Sequence, residues 1–364
     1  MRLALVNPMF TRYGGTDTYE AELARQLTAL GHEVSRWKLA KAAQTYGGGV
    51  WAICVDKHEL PDKASGTFPP DTQFVKWDQL WERADLVHLT TPHNVSMGYK
   101  KLLDTPPGHL VVTFHDSVEV MFNEGTGAME GLMRIASRIF FVGEVWMRRL
   151  RQQRRIPHAE FDAKARYFPH PYTRIATGRI ADADPKRVVC ASAWRWNKGI
   201  VQTVEAAELL ANEGYRFEFW TGLKDPQLAS FVQTMPGWKH CRDMGKWEWP
   251  TDAPRIYDTA AYATNMTTFG TSDGQRTEYP VLEAWDFGVT PIVRSCWAHQ
   301  GKAPRSLGAP QAGIDCLTAD DAATLANAVR SGVRFSQDAF DAALLPHTTV
   351  GLDIAAEYES VING

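Results

Sequence analysis

Two periodicities alternate along the first half of this 364-residue chain. Leu3–Val6, Leu86–Leu89 and Leu110–Phe114 are apolar runs of strand length, the pattern of strands buried on both faces. Between the first two, DTYEAELARQLTALGH repeats its apolar residues at helical spacing, which predicts an amphipathic helix. Repetition of strand and helix predicts a mostly parallel sheet covered by helices. The pattern restarts after the polar, Pro-containing segment TGRIADADPKR, with strand VVCAS, helix GIVQTVEAAELLANEG and strand FEFWTG. The expected architecture is therefore α/β, with two Rossmann-like, doubly wound domains at 1–180 and 181–345, and a C-terminal helix at 346–364 that packs back on the body. Two such domains would turn their strand ends toward one cleft, and ligand-binding motifs are expected just after strands.

Length supports two domains, because single cores stop growing near ~250–300 residues. With 44% hydrophobic and 22% charged residues the chain reads as a soluble globular protein, and no apolar run approaches the ~18 residues of a membrane span. The opening residues read as a first strand rather than a signal peptide, so a cytoplasmic protein is expected. Five cysteines, Cys54, Cys190, Cys241, Cys296 and Cys316, are odd in number and widely spaced, which points to buried thiols rather than a disulfide framework or zinc site. The net charge of −3 hides an asymmetry: residues 1–180 carry 23 Lys and Arg against 19 Asp and Glu, leaving 16 against 23 for the rest.

Four stretches carry candidate chemistry. In NPMFTRYGGTDTYEAELARQL, Gly14 and Gly15 follow the first strand and open the helix, with Thr16 or Asp17 as N-cap, so backbone can approach an anion at a helix N-terminus. An ordinary loop explains a lone Gly-Gly turn equally well. In VVTFHDSVEV, His115 and Asp116 end a strand; a neutral imidazole there can bind a sugar hydroxyl, while a core histidine is the plainer reading. His88 and His93 share that ambiguity, and His170, between Pro169 and Pro171, reads as part of the interdomain turn. In VVCASAWRWNKGIVQTVEAA, Lys198 and Gly199 precede a helix, with Arg195 three residues earlier, an arrangement suited to phosphate. In TEYPVLEAWDFGVTPIVRS, Glu283 reads as a carboxylate at a helix start, able to accept two hydrogen bonds from a vicinal diol such as ribose.

Taken in order, GGTDTYEAELARQLTALGHEV, DLVHL, VVTFHD, WNKG and YPVLEAWDFGVTPIV resemble the family 4 retaining glycosyltransferases of the GT-B fold over nearly the whole chain. The resemblance implies an N-terminal acceptor domain, a C-terminal nucleotide-sugar domain, a nucleotide-diphosphate sugar as donor (UDP-sugar being expected), no obligatory metal or further cofactor, and transfer with retention. It places Glu283 on the ribose, Lys198 on the diphosphate, Gly15 on phosphate through its backbone, and His115 on a donor-sugar hydroxyl. Two positions depart from the family pattern. The residue eight before Glu283 is Gln275, not a second carboxylate; Gln275 substitutes, or Asp273 with Gly274 is the displaced acidic-Gly pair, or Glu278 fills the role. The family's arginine falls on Ala193, and Arg195 is expected to reach the phosphate instead. The resemblance further implies that the departing phosphate oxygen takes the acceptor's proton, so no side-chain nucleophile is needed. An epimerase using Asp273 and Glu278, and an inactive sugar-nucleotide binding module, are the competing classes.

The acceptor is the least determined element. The segment EVWMRRLRQQRRIPHAEFDAKAR holds Arg148, Arg149, Arg151, Arg154, Arg155 and Arg166 with Lys164. It reads either as an ordinary charged helix face or as a surface for a polyanion, such as DNA bearing a hydroxymethylated base.

Overall fold

The computed structural model describes residues 1–7, 15–41, 50–54, 74–92, 104, 106–115, 126–176, 183–221, 223–247, 250–268, 277–301 and 307–364. The chain divides into two compact units, Met1–Thr173 with Thr349–Gly364, and Arg174–Thr348. Gly14, His93, Asp116, Asp273, Gly274 and Gln275 lie outside the described residues.

In the first unit eight strands form one sheet in the order β4-β3-β2-β1-β5-β6-β7-β8. They are β1 Arg2–Asn7, β2 Glu33–Lys41, β3 Val50–Cys54, β4 Phe74–Lys76, β5 Leu86–Leu89, β6 Leu110–Phe114, β7 Arg138–Phe141 and β8 Ala165–Tyr167. β1 pairs in parallel with both β2 and β5, whereas β3 adds antiparallel to β2 and β4 antiparallel to β3. Every residue of β5 and β6 is buried, which is why both are apolar but for His88 and Thr113: a strand covered on two faces has no solvent-facing side to show. The chain leaves β1 toward β2 on one side and returns to β5 on the other, so the order reverses between β1 and β5. Open α/β sheets bind ligands at the carboxyl ends of the strands beside such a reversal.

The second unit is a six-stranded parallel sheet, β11-β10-β9-β12-β13-β14. Its central strands are β9 Asp184–Ala191, β10 Arg216–Trp220 and β12 Ala260–Asn265, flanked by β11 Cys241–Gly245, β13 Thr290–Val293 and β14 Leu317–Thr318. Alternate residues of β9 serve two cores: Val188 and Cys190 join a cluster with Ile200, Val204 and Leu325, while Val189 and Ala191 join Ile256, Tyr257, Ala284 and Phe287. That period of two puts helices on both faces. Here the order reverses between β9 and β12.

The last helix, Gln337–Asn363, begins nine residues before Pro346 and carries that proline inside it. Its residues up to Thr348 belong to the second unit and the remainder to the first.

Candidate functional site

At the reversal of the second sheet, the turn after β9 meets the segment after β12. Gly199 has φ +69, a left-handed conformation that a side chain resists. A Cβ at that position would lie 2.2 Å from the Met266 Cβ and 2.6 Å from its carbonyl oxygen, so only glycine allows so close an approach. The Thr268 amide donates to the Asn197 carbonyl at 2.7 Å and stitches the two segments together. The result holds Lys198 beside the helix Tyr279–Asp286, where its Nζ donates to Glu278 Oε1 at 2.7 Å. The other Glu278 oxygen accepts from Asn265 Nδ2 at 3.0 Å and lies 3.0 Å from the Thr267 hydroxyl. One cation and one carboxylate, both half-buried, are thus fixed by residues at the ends of β9 and β12.

Glu278, not Glu283, stands at the start of this helix. Pro280 is its second residue and Glu283 its fifth, so the expectation of a Glu283 carboxylate at a helix N-terminus is corrected. Pro at a first-turn position was the available signal, since its missing N–H costs nothing there. Glu283 is 2% exposed, and its Oε2 accepts from the Tyr257 hydroxyl at 2.6 Å. Arg195 is exposed and lines, with Trp194, Trp196, Asn197, Leu223, Lys224 and Asp225, a pocket of about 540 Å³ at the ends of β9 and β10. Its guanidinium has no ion pair among the described residues. Trp196 is 54% exposed there, tilted against Phe231.

At the reversal of the first sheet, Gly15 is the first residue of the helix Gly15–Ala29 and is exposed. A Cβ on it would meet nothing within 4 Å, so packing among the described residues does not demand glycine. Asp17 lies inside the first turn rather than at the cap. It accepts from Lys38 Nζ at 2.5 Å, and Glu20 accepts from the same nitrogen at 3.1 Å. Lys38 is 1% exposed, so these carboxylates balance a charge that burial would otherwise penalise.

His115 follows β6 and is buried, with the Tyr19 ring edge-on at 4.5 Å and the His170 ring stacked at 5.9 Å. His170 therefore packs on His115 within the first unit. No short-range motif marks that contact, because 55 residues of sequence separate the two rings. His88 is fully buried, and burial, with His115 nearby, pulls its pKa down to about 3. Lys198 and His115 belong to different units, and each is described within its own.

The arginine segment is largely committed to carboxylates. Arg151 makes a bidentate pair with Asp162 at 2.6 and 2.7 Å, Arg148 reaches Glu144 at 3.8 Å, and Arg155 reaches Glu130 at 3.4 Å. Arg134, Arg154, Arg155 and His158 line a separate pocket of about 600 Å³, and Arg154 takes a positive φ of 53°. Among the described residues no helix is long and apolar enough to cross a membrane.

Residues 13–162 match the Glycosyltransferase Family 4 model. No curated protein sequence matches the chain. Among solved structures, Anabaena Alr3699/HepE in complex with UDP aligns at TM-score 0.68 and 13% identity, covering 99% of this chain and 100% of that one. An alpha-glucosyltransferase in complex with UDP and a 13-mer DNA containing a HMU base aligns at 0.65 and 13%, covering 100% and 99%. The pneumococcal O-GlcNAc transferase GtfA, in complex with UDP and GlcNAc, aligns at 0.63 and 11%, covering 100% and 98%. This chain has the two-domain GT-B fold of glycosyltransferases, and its residues 13–162 resemble Glycosyltransferase Family 4.

Proposed function

We propose that the protein moves a sugar from a UDP-sugar to a hydroxyl acceptor, with retention of configuration, without a required metal, in the cytoplasm. The observation that carries the reading is the Lys198 and Glu278 pair at the reversal of the second sheet. A pyrophosphate leaving group gathers negative charge as the glycosidic bond breaks, and cations already fixed in place stabilise that charge most in the transition state. Lys198 meets the diphosphate in this reading and is handed over from Glu278 when the donor binds. Arg195, from the neighbouring pocket, supplies a forked second donor. Glu278 then faces the donor sugar and fills the position where the family pattern has its first carboxylate. Glu283, oriented by Tyr257, is assigned to the ribose, His115 to a donor-sugar hydroxyl, and the amide at Gly15 to a phosphate oxygen.

UDP-bound structural neighbours support the donor. Calorimetry tests the phosphate site: UDP should bind well above uridine, and Lys198→Ala should remove most of that difference while uridine affinity stays put. Equal affinities for UDP and uridine in the wild type would refute it. The acceptor has a second reading, a hydroxymethylated base in DNA, favoured by the pocket of Arg134, Arg154 and Arg155 and by the DNA-bound neighbour. Retention of DNA at low salt, lost in a variant with Arg154→Ser and Arg155→Ser, would put that acceptor first.

A further inference from the structure

A buried polar chain in the first unit ends on His115 and begins on the C-terminal segment. Tyr358 Oη lies 2.5 Å from His88 Nδ1, and His88 Nε2 lies 2.6 Å from Thr113 Oγ1. The Thr113 hydroxyl lies 3.4 Å from Tyr19 Oη, and the Tyr19 ring is the one that meets His115 edge-on. All five residues are buried. Thr113 and His115 are two apart at the end of β6, so their side chains project to the same face of the sheet.

The hydrogen positions follow from the partners available. Burial keeps His88 neutral, and a neutral imidazole has one donor nitrogen and one acceptor. Tyr358 Oη has no hydrogen-bond partner other than His88 among the described residues. A proton on Nδ1 would therefore strand the buried phenol proton without an acceptor, which native structures avoid. The phenol must donate to Nδ1, and the His88 proton then sits on Nε2 and donates to Thr113. Tyr358 thus selects the His88 tautomer, and His88 in turn fixes which lone pair of Thr113 remains for Tyr19.

We propose that His88 is a positioning residue for His115: with its tautomer set by Tyr358, it locks Thr113 and the Tyr19 ring and so holds the His115 imidazole in one orientation toward the donor sugar. The segment Thr349–Gly364 is then part of the machinery for transfer and not merely packing. The proposal rests on the assignment of His115 to the donor sugar.

Tyr358→Phe in the full chain removes one hydroxyl and keeps the ring that packs on His88 and Phe140. Nitrogen-15 NMR of the wild type should show the Nε2–H tautomer of His88. In Tyr358→Phe the His88 Nδ1 resonance should move as it loses its donor, and the His115 ring resonances should shift. kcat for transfer from a UDP-sugar should fall roughly 10- to 100-fold, the range for a reacting group displaced by about 1 Å, with donor KM and UDP affinity unchanged. His88→Gln, which keeps an amide donor for Thr113, should retain more activity than His88→Leu. The proposal is overturned if Tyr358→Phe leaves both the His115 resonances and kcat at wild-type values. It is equally overturned if the wild type carries the proton on Nδ1. If the wild type turns over no UDP-sugar, the transfer reading fails, and the NMR comparison still decides the coupling of Tyr358 to His115.

Discussion

Gly199→Ala is the substitution whose effect the structure fixes most tightly. Two separate terms apply. The φ of +69 places a side-chain-bearing residue in the left-handed region, at ~1–2 kcal/mol. The added Cβ would also sit 2.2 Å from the Met266 Cβ, where ordinary carbon contacts need ~3.5–4 Å, and forced overpacking adds ~1–3 kcal/mol. Together they give a loss of roughly 2–5 kcal/mol. Gly214 separates the terms, because it has φ +77 but no atom of the described residues within 4 Å of its Cβ position; Gly214→Ala should cost only the backbone share, ~1–2 kcal/mol. Relief of the clash moves the turn off the segment after β12, which breaks the Thr268 to Asn197 hydrogen bond and the Lys198 to Glu278 pair. Urea unfolding of both variants, with UDP calorimetry on whatever folds, tests this. Equal destabilisation of the two variants, or wild-type UDP affinity in Gly199→Ala, would refute the reasoning.

Two further expectations follow from the first unit. Gly15→Ala adds a Cβ that meets nothing among the described residues and improves helix propensity by up to ~1 kcal/mol, so stability should hold or rise while turnover falls as the backbone loses its close approach to phosphate; unchanged turnover would remove Gly15 from the donor site. His88 falls from its ordinary 6.5 to about 3 in the folded chain, so below pH 6.5 the unfolded chain takes a proton that the folded one refuses. Its contribution is fully present above 6.5 and declines by ~1.4 kcal/mol per pH unit between those two values; urea melts at pH 7, 5 and 4 should show that slope in the wild type and lose it in His88→Gln.

Much of this architecture can be read from local pattern, and what cannot has a physical reason. The strands β1, β5 and β6 and the helix at Ile200–Leu209 are legible because each carries its own periodicity over a few turns or a short apolar run. The antiparallel strands β3 and β4 are not, since five and three residues are too few for an alternation to stand out from the flanking sequence. Glu283 is misplaced when Pro280–Leu282 is read as a run before the helix, although Pro280 marks the first turn. The C-terminal helix is read only over 346–364, whereas it starts at Gln337 and carries Pro346 inside it, a residue that disfavours helix interiors. The arginine segment looks like free positive charge in sequence, while the pairing of Arg151 with Asp162 appears only in three dimensions. The chain from Tyr358 through His88 to Tyr19 includes one direct hydrogen bond between residues 270 positions apart, and no window of sequence contains it.

The central claim is that the Lys198 and Glu278 pair serves a sugar-nucleotide diphosphate during glycosyl transfer. Release of UDP from a panel of UDP-sugars, measured with and without hydroxyl acceptors, tests it most directly. The account predicts release by the wild type with at least one donor, faster when acceptor is present, and nearly abolished in Lys198→Ala while the variant remains folded. Undiminished UDP release by folded Lys198→Ala, or no release by the wild type from any UDP-sugar, would contradict it.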